Sequence, residues 1–250
     1  MRVGWLADIA DLLGGAEITQ AEFRDAAPEG VEIVDCPPGG VVPGLDAYVI
    51  HNSVQYTLTD YQVIGDAPAV KYWHDVGPWI TPECRAWLDA HGTYVCCSPI
   101  QAEHMGVSAH LIPPPVNLAR FSDAAEDVNG GRSGNVSVGS WRNHGKAPHK
   151  VAEWAAQNQT PVDFFGGGPL APPGSVEMAY EGMPALLAQY ETFVFLPTVI
   201  EPFGRVVAEA WAAGCGLVVN EHVGAVHWIT ENPGAMETAA HDFWAVIEAC

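Results

Sequence analysis

Residues 192–220 read TFVFLPTVIEPFGRVVAEAWAAGCGLVVN. Two short apolar runs, Thr192–Leu196 and Leu217–Asn220, flank a segment over Arg205–Ala213 that has the pattern of a helix. Gly214 follows this segment and is a natural helix stop. A strand, a crossover helix and a second strand form the unit from which parallel sheets are built. This stretch therefore predicts an α/β fold.

The same alternation extends toward the amino terminus. Apolar runs predict further strands at Val3–Ala7, Val31–Asp35, Ala47–His51, Ala69–His74, Tyr94–Ser98, Val136–Gly139 and Val162–Gly166. The run Pro113–Pro115 cannot continue a helix or a central strand and forms a stiff connector. We therefore predict two domains, 1–115 and 116–250, each a Rossmann-like doubly wound parallel sheet. Two such sheets facing each other would leave a ligand cleft between the carboxyl ends of their strands.

Composition limits the class of protein. The 250 residues are 48% hydrophobic, which is enough for a substantial core. No cationic leader precedes a long apolar run, and no uncharged apolar stretch of about 18 residues occurs, so we predict a cytoplasmic protein without a transmembrane segment. The cysteines show no C-x-x-C spacing, and we expect buried free thiols rather than a zinc site or disulfides. They are Cys36, Cys84, Cys96, Cys97, Cys215 and Cys250.

The net charge is −20, from thirty acidic and ten basic residues. This charge repels phosphate backbones and anionic lipid surfaces at long range and disfavours non-specific nucleic-acid binding. Because basic residues are scarce, their positions are informative. Arg132, Arg142, Lys146 and Lys150 fall close together. They are the candidates for binding a phosphate group.

The segment Leu196–Gly214 also carries chemistry. Glu201 and Gly204 lie in the loop after the predicted strand, and Glu209 lies on the helix, eight residues after Glu201. Free amides at the helix start, near Phe203 and Gly204, would attract a phosphate or polarised sugar hydroxyls. The string, with its proline and its Glu-Ala-x-Ala-Ala-Gly run, resembles the E-x7-E signature of the retaining glycosyltransferases grouped as family four. That resemblance implies a GT-B fold, assigns Glu201 and the amides of Phe203 and Gly204 to the donor sugar, and assigns Glu209 to the nucleotide ribose.

Two segments of the first half resemble the same family. Gly14 and Gly15 follow the first predicted strand and look like the family's glycine-rich turn, where backbone approaches the donor closely. His74 stands at the end of a predicted strand and matches the histidine that reaches the donor sugar near the reacting carbon. The run His51–Ser53 ends an earlier strand and forms a second polar cluster, which could line the side of the sugar acceptor.

Two loops of the second half complete the resemblance. The run Val138–Lys146 corresponds to the strand and loop that supply an arginine and a lysine to the diphosphate. Arg142 stands two residues later than the family pattern has it, and Lys146 is the stronger lysine candidate, with Lys150 as the alternative. Gly167 belongs to a Gly-x-Gly turn that, in the family, lies near the nucleotide base.

The resemblance implies a retaining transferase that moves a hexosyl group from a UDP- or GDP-type nucleotide-sugar to a hydroxyl acceptor. In that reaction the acceptor attacks from the side of the leaving group, and no protein nucleophile is required. The residues expected to act in catalysis are His74, Glu201, Arg142 and Lys146. The sequence contains no Asp-x-Asp motif, so we expect no metal and no other cofactor, with protein cations stabilising the leaving diphosphate.

Two alternatives from other classes stay open at this stage. One is a nucleotide-sugar epimerase or isomerase, for which no convincing acid and base pair is evident. The other is a weakly catalytic protein that binds sugar nucleotides. The sequence does not decide whether the sugar acceptor is a small molecule, a glycan or a protein. A modified DNA base, as a phage enzyme would use, is a less favoured hypothesis. The sequence does not indicate an oligomeric state.

Overall fold

The chain divides into two units, each with its own parallel β-sheet. In the computed structural model, unit 1 comprises Met1–Pro115 with Thr238–Cys250, and unit 2 comprises Val116–Glu237. The prediction of an α/β fold with two Rossmann-like parallel sheets is confirmed. The residues that the structure describes are 1–8, 14–51, 53–76, 80–126 and 131–250.

Unit 1 contains a six-stranded sheet in the order β2-β1-β3-β4-β5-β6, with every pairing parallel. Its strands are β1 (Arg2–Leu6), β2 (Glu32–Asp35), β3 (Ala47–Ile50), β4 (Ala69–Trp73), β5 (Gly92–Cys96) and β6 (His110–Leu111). Its first helices are α1 (Gly15–Asp25), α2 (Leu58–Ile64), α3 (Pro82–His91) and α4 (Pro99–Met105).

Burial and capping explain why these elements form where they do. All residues of β3 and β4 are buried, as is typical of central strands in a parallel sheet that is covered on both faces. Helix α3 begins after Thr81, whose hydroxyl accepts a hydrogen bond from the backbone N–H of Cys84 at 3.3 Å. Pro82 occupies the first helical position, where its missing N–H has no cost.

Unit 2 contains a four-stranded parallel sheet in the order β10-β9-β7-β8. Its helices are α5 (Leu118–Glu126), α6 (Pro148–Asn158), α7 (Met183–Leu187), α8 (Arg205–Ala212) and α9 (Ala225–Glu231). Its strands are β7 (Asn135–Val138), β8 (Val162–Phe165), β9 (Thr192–Phe195) and β10 (Gly216–Val219). The strand, helix and strand predicted from residues 192–220 are therefore β9, α8 and β10.

The last helix, α10 (Ala235–Ala249), returns to unit 1. The ring of Phe243 stacks on Phe23 at a centroid distance of 4.2 Å. The indole N–H of Trp244 donates to the carbonyl of Phe23 at 2.7 Å. The second domain predicted from sequence, 116–250, thus differs from unit 2 at its end, because the apolar face of α10 is buried against the aromatic core of unit 1.

The thiols follow the expectation from composition in part. Five cysteines are buried, and Cys250 is exposed. Burial raises the pKa of the Cys96 thiol to about 12 and that of the Cys215 thiol to about 11. These two thiols stay protonated near pH 7 and behave as small apolar side chains.

Candidate functional site

Two loops at the carboxyl edge of the unit 2 sheet bring Lys146 and Glu201 together. One loop follows β7 and the other follows β9, and these strands are neighbours. Lys146 ends a 3-10 turn, and its ammonium donates a hydrogen bond to the Glu201 carboxylate in an ion pair. The backbone N–H of Thr198 donates to the carbonyl of Gly145 at 2.9 Å and ties the two loops. The two residues stand 55 positions apart, so the fold creates their contact.

The Lys146–Glu201 pair is partly buried. The lysine side chain is 24% exposed and the glutamate side chain 17% exposed. The lysine ammonium also lies 5.7 Å from the centroid of the Phe195 ring. Salt screens a pair at this depth less than it screens a surface pair, yet a ligand can still reach both groups. The pair can therefore offer a cation to an anionic group and a carboxylate to hydroxyls.

Helix α8 begins directly after the loop that carries Glu201. The backbone N–H of Glu201 donates to the carbonyl of His222 at 2.8 Å, and its carbonyl accepts from Gly224 at 3.0 Å. Gly204 precedes the helix with φ at +83°, a left-handed conformation that favours glycine. Phe203 is 3% exposed, so only backbone near it could contact a ligand. The predicted amide contacts at the start of α8 are compatible with this geometry.

Glu209 lies one turn into α8 inside a buried polar cluster. Its carboxylate accepts from the Arg205 guanidinium at 3.3 Å and from the Tyr180 hydroxyl at 2.9 Å. Arg205 also donates to the Tyr180 hydroxyl at 3.1 Å. Burial, followed by the charge of Glu209, raises the pKa of Tyr180 to about 12. Because Glu209 is 3% exposed, a ribose that binds it must displace or share one of these partners.

The other basic candidates differ in their surroundings. Arg142 lies in the same loop as Lys146, and its side chain is exposed. Lys150 lies on α6 and pairs with Glu153 at 2.8 Å, with both side chains about half exposed at 45% and 53%. Of the three basic residues considered for the diphosphate, Lys146 is the one that contacts another predicted site residue.

The glycine turn after β8 packs against the loop after β7. Gly168 has φ at +133°, and a Cβ there would lie 2.5 Å from the carbonyl oxygen of Trp141. The carbonyl of Gly167 accepts a hydrogen bond from the backbone N–H of Trp141 at 2.9 Å, and a Cβ at Gly167 would clash with the Glu177 carboxylate. Close packing between loops thus explains these glycines, and the predicted contact of Gly167 with a nucleotide stays a prediction.

The turn before α1 is occupied by a carboxylate. Gly14 precedes the helix, Gly15 is its first residue, and the Gly14 N–H donates to the Glu17 carboxylate at 2.8 Å. A negatively charged group at this helix start is stabilised by the same amide that would meet a diphosphate. A ligand phosphate at Gly14 would therefore compete with Glu17.

Near the carboxyl edge of the unit 1 sheet, the side chains of His51 and His74 are in contact, and the Lys71 ammonium contacts the backbone of His51. Nε2 of His74 lies 2.8 Å from Nε2 and 3.1 Å from Nδ1 of His51. The buried ammonium of Lys71 donates to the His51 carbonyl at 2.9 Å and to the Ser53 hydroxyl at 3.2 Å. His51 and Ser53 are 0% and 2% exposed, which contradicts the idea that they line a sugar-acceptor surface. Asn52 of that run lies outside the described residues.

Lys71 was not singled out from sequence, although a signal exists. It stands in the middle of the apolar strand AVKYW, where a lysine is unusual. Burial lowers the pKa of Lys71 from 10.5 to about 7, with Asp8 and Asp75 acting in the opposite direction. Burial, and then the charges of His74 and Lys71, lower the pKa of His51 well below its ordinary value.

Over the described ranges, no group of three or more His, Cys, Asp and Glu side chains is placed to hold a metal ion. Among the helices of the described part of the chain, none is both long and apolar enough to cross a membrane.

No protein-family model and no curated protein matches this chain. Several solved structures, however, are similar to it. AviGT4, a glycosyltransferase involved in avilamycin A biosynthesis, has a TM-score of 0.64 at 16% identity over 96% of this chain and 88% of its own. HepE of Anabaena, in complex with UDP and glucose, has a TM-score of 0.64 at 16% identity, over 100% of this chain and 95% of its own.

A third neighbour is an alpha-glucosyltransferase in complex with UDP and a 13-mer DNA. It has a TM-score of 0.59 at 10% identity, over 99% of this chain and 92% of its own. At these identities the likeness is one of fold. The chain has the GT-B glycosyltransferase fold of these neighbours.

Proposed function

We propose that this chain is a glycosyltransferase that takes a hexosyl group from a UDP- or GDP-type nucleotide-sugar and retains its anomeric configuration. The observation that carries the proposal is the contact between Lys146 and Glu201 at the carboxyl edge of the unit 2 sheet. In parallel α/β folds this edge is where ligands bind. The family resemblance assigned both residues to the donor, Lys146 to its diphosphate and Glu201 to its sugar.

The proposed reaction needs no covalent protein intermediate. The bond from the anomeric carbon to the diphosphate oxygen breaks, and a bond forms from that carbon to the hydroxyl oxygen of the sugar acceptor on the same face. The hydroxyl proton moves to a phosphate oxygen of the leaving group. Negative charge therefore grows on the diphosphate, and a preorganised ammonium there lowers the barrier.

The side chains take separate roles in this proposal. Lys146, with Arg142 beside it in the same loop, stabilises the diphosphate as the bond breaks. Glu201 binds hydroxyls of the donor sugar, and its negative charge is balanced by Lys146 before the donor arrives. Backbone amides at Phe203 and Gly204 add hydrogen bonds at the helix start. His74 of unit 1 meets the donor sugar near the reacting carbon.

Glu209 is assigned to the ribose hydroxyls. An ionised carboxylate can accept from two neighbouring hydroxyls in charge-assisted hydrogen bonds. In the free protein the Tyr180 hydroxyl already donates to this carboxylate. Nucleotide binding would replace one hydroxyl donor by another, so the exchange leaves the carboxylate satisfied.

The net charge bears on the sugar acceptor. At −20 the chain repels nucleic-acid and anionic lipid surfaces. Small molecules, glycans and proteins are therefore the acceptors to test before a DNA base, although one structural neighbour is a complex with DNA.

A panel of nucleotide-sugars tests the proposal. Thermal shifts with UDP-, GDP-, ADP- and dTDP-sugars identify the donor, and release of nucleotide is then measured with and without sugar acceptors. Transfer with retained configuration, read by proton NMR of the product, supports the proposal. An altered sugar that stays attached to its nucleotide would instead identify an epimerase, and binding without release would identify a binding protein.

A further inference from the structure

The ring of His51 is held in an aromatic cage inside unit 1. It is 0% exposed. Tyr72 lies almost parallel to it at 5.6 Å and 5°, and Trp5 stacks on it at 5.9 Å and 28°. Phe23 meets it edge-on at 6.3 Å. A ring packed this closely has a fixed orientation, so its nitrogen atoms have fixed positions.

A histidine is a costly choice for such a cage. Burying a polar ring has a free-energy penalty unless its nitrogens are hydrogen bonded. A phenylalanine would fill the same space among Trp5, Phe23 and Tyr72 without that penalty. The ring nitrogens of His51 therefore require a hydrogen-bond partner. Both lie close to Nε2 of His74, with Nε2 of His51 at 2.8 Å and Nδ1 at 3.1 Å.

The electrostatic surroundings keep His51 neutral. Lys71, whose ammonium lies 2.9 Å from the His51 carbonyl, is a neighbouring cation, and the carboxylates of Asp8 and Asp75 act on that lysine. Burial, His74 and Lys71 all lower the pKa of His51. A neutral imidazole has one N–H donor and one acceptor nitrogen. Its contact with Nε2 of His74 is therefore one hydrogen bond, in which Nε2 of His74 is either the donor or the acceptor.

We propose that His51 is a positioning residue for His74: its caged ring holds Nε2 of His74 and so fixes the orientation and the tautomer of that ring. This rests on the proposed function in one respect, that His74 meets the donor sugar. His74 is only partly buried, so it can contact a ligand while His51 cannot. His51 acts on the reaction through His74.

Two variants separate positioning from packing. His51→Phe keeps an aromatic ring in the cage and removes both nitrogens, whereas His51→Gln keeps a hydrogen-bonding group and loses the ring. If His51 positions His74, His51→Phe lowers kcat about tenfold or more with a donor KM within about twofold, and His51→Gln recovers most of kcat. If His51 only fills space, the order of the two variants is reversed, and the proposal is overturned.

A measurement without substrate tests the inference independently of the proposed function. Nitrogen-15 NMR reports the tautomer of each histidine ring, and His74→Gln assigns the His74 signals among the ten histidines. We expect one tautomer with a hydrogen-bonded Nε2 in the wild-type chain and in His51→Gln, and a mixture of tautomers in His51→Phe. Identical His74 signals in the wild-type chain and His51→Phe would overturn the inference. If the wild-type chain transfers no sugar, the proposed function fails and this spectrum still decides the role of His51.

Discussion

The carboxyl edges of the two sheets handle charge in different ways. In unit 2, Lys146 pairs with Glu201 and Arg205 pairs with Glu209, so each cation lies beside a carboxylate. In unit 1, burial lowers the pKa of both Lys71 and His51, so the cluster tends to lose its positive charge. An edge with paired charges suits an anionic diphosphate, which is the role proposed for the loops of unit 2.

The largest effect on stability is expected at the Arg205–Glu209 pair, which is more deeply buried than the Lys146–Glu201 pair. Glu209→Ala removes a buried carboxylate that pairs with the Arg205 guanidinium and should lower the free energy of unfolding by about 3–5 kcal/mol. Urea denaturation measures this loss. The matched control is Glu153→Ala, which removes an exposed partner of Lys150 and should leave the urea midpoint close to that of the wild-type chain. Equal losses in the two variants would show that the buried pair contributes no more to stability than the exposed pair.

A double variant separates stability from nucleotide binding at the same position. Arg205→Met combined with Glu209→Ala replaces both charges and should recover much of the lost stability. If Glu209 binds the ribose, the double variant still binds UDP more weakly by roughly 1.5–3 kcal/mol, measured by calorimetry. Unchanged UDP affinity in this variant would remove Glu209 from the nucleotide site.

The second effect concerns the partly buried pair. Lys146→Ala should lower kcat by about 10²-fold or more while the donor KM changes much less, because the ammonium interacts most strongly with the diphosphate as its charge grows. Steady-state kinetics measure both constants. Lys150→Ala is the control and should stay near wild type, since Lys150 pairs with Glu153 on α6.

The reverse result for the two lysines would transfer the role to Lys150. If Lys146→Ala, Lys150→Ala and Arg142→Ala all remain near wild type, this loop does not contact the diphosphate. The role proposed for the carboxyl edge of the unit 2 sheet is then wrong.

The third prediction tests the lowered pKa of Lys71 in the unit 1 sheet. The unfolded chain keeps a proton on Lys71 up to about pH 10.5, whereas the folded chain releases it near pH 7. Between these values the unfolded state binds more protons, so this lysine makes stability rise with pH, by at most about 1.4 kcal/mol per pH unit. Lys71→Met removes the effect. Urea denaturation at pH 7, 8 and 9 should show the wild-type chain gaining stability relative to Lys71→Met, and parallel pH profiles would contradict the lowered pKa.

The smallest effect is an expected absence of change. Because protein cations are proposed to stabilise the leaving diphosphate, turnover should be the same within error in EDTA and in buffer. Lost turnover that Mg²⁺ or Mn²⁺ restores would show that a metal shares the task given to Lys146.

The sequence was sufficient for features that depend on local pattern. The strand, helix and strand over residues 192–220 follow from runs of apolar residues and a glycine stop, and β9, α8 and β10 lie there. Motif resemblance also selected Lys146 and Glu201, which the fold brings into contact. Their roles toward a donor remain predictions.

Features that depend on distant packing were missed. Nothing near α10 indicates that Phe243 and Trp244 pack against Phe23, more than two hundred residues earlier. Likewise, the polar run at His51 looks exposed in sequence, and only the stacking of Trp5 and Tyr72 shows that it is buried. Tyr180 carries no sequence signal for its contact with Glu209, since the two residues stand 29 positions apart with α7 and β9 between them.

The return of α10 to unit 1 has a consequence for synthesis of the chain. Unit 2 is an insertion between β6 and the end of α10, so a chain growing from its amino terminus holds every residue of unit 2 before unit 1 is complete. Until Phe243 and Trp244 leave the ribosome, Phe23 and its aromatic neighbours lack the helix that covers them. Unit 2 can thus fold before unit 1 is complete, while nascent unit 1 still has an uncovered aromatic surface.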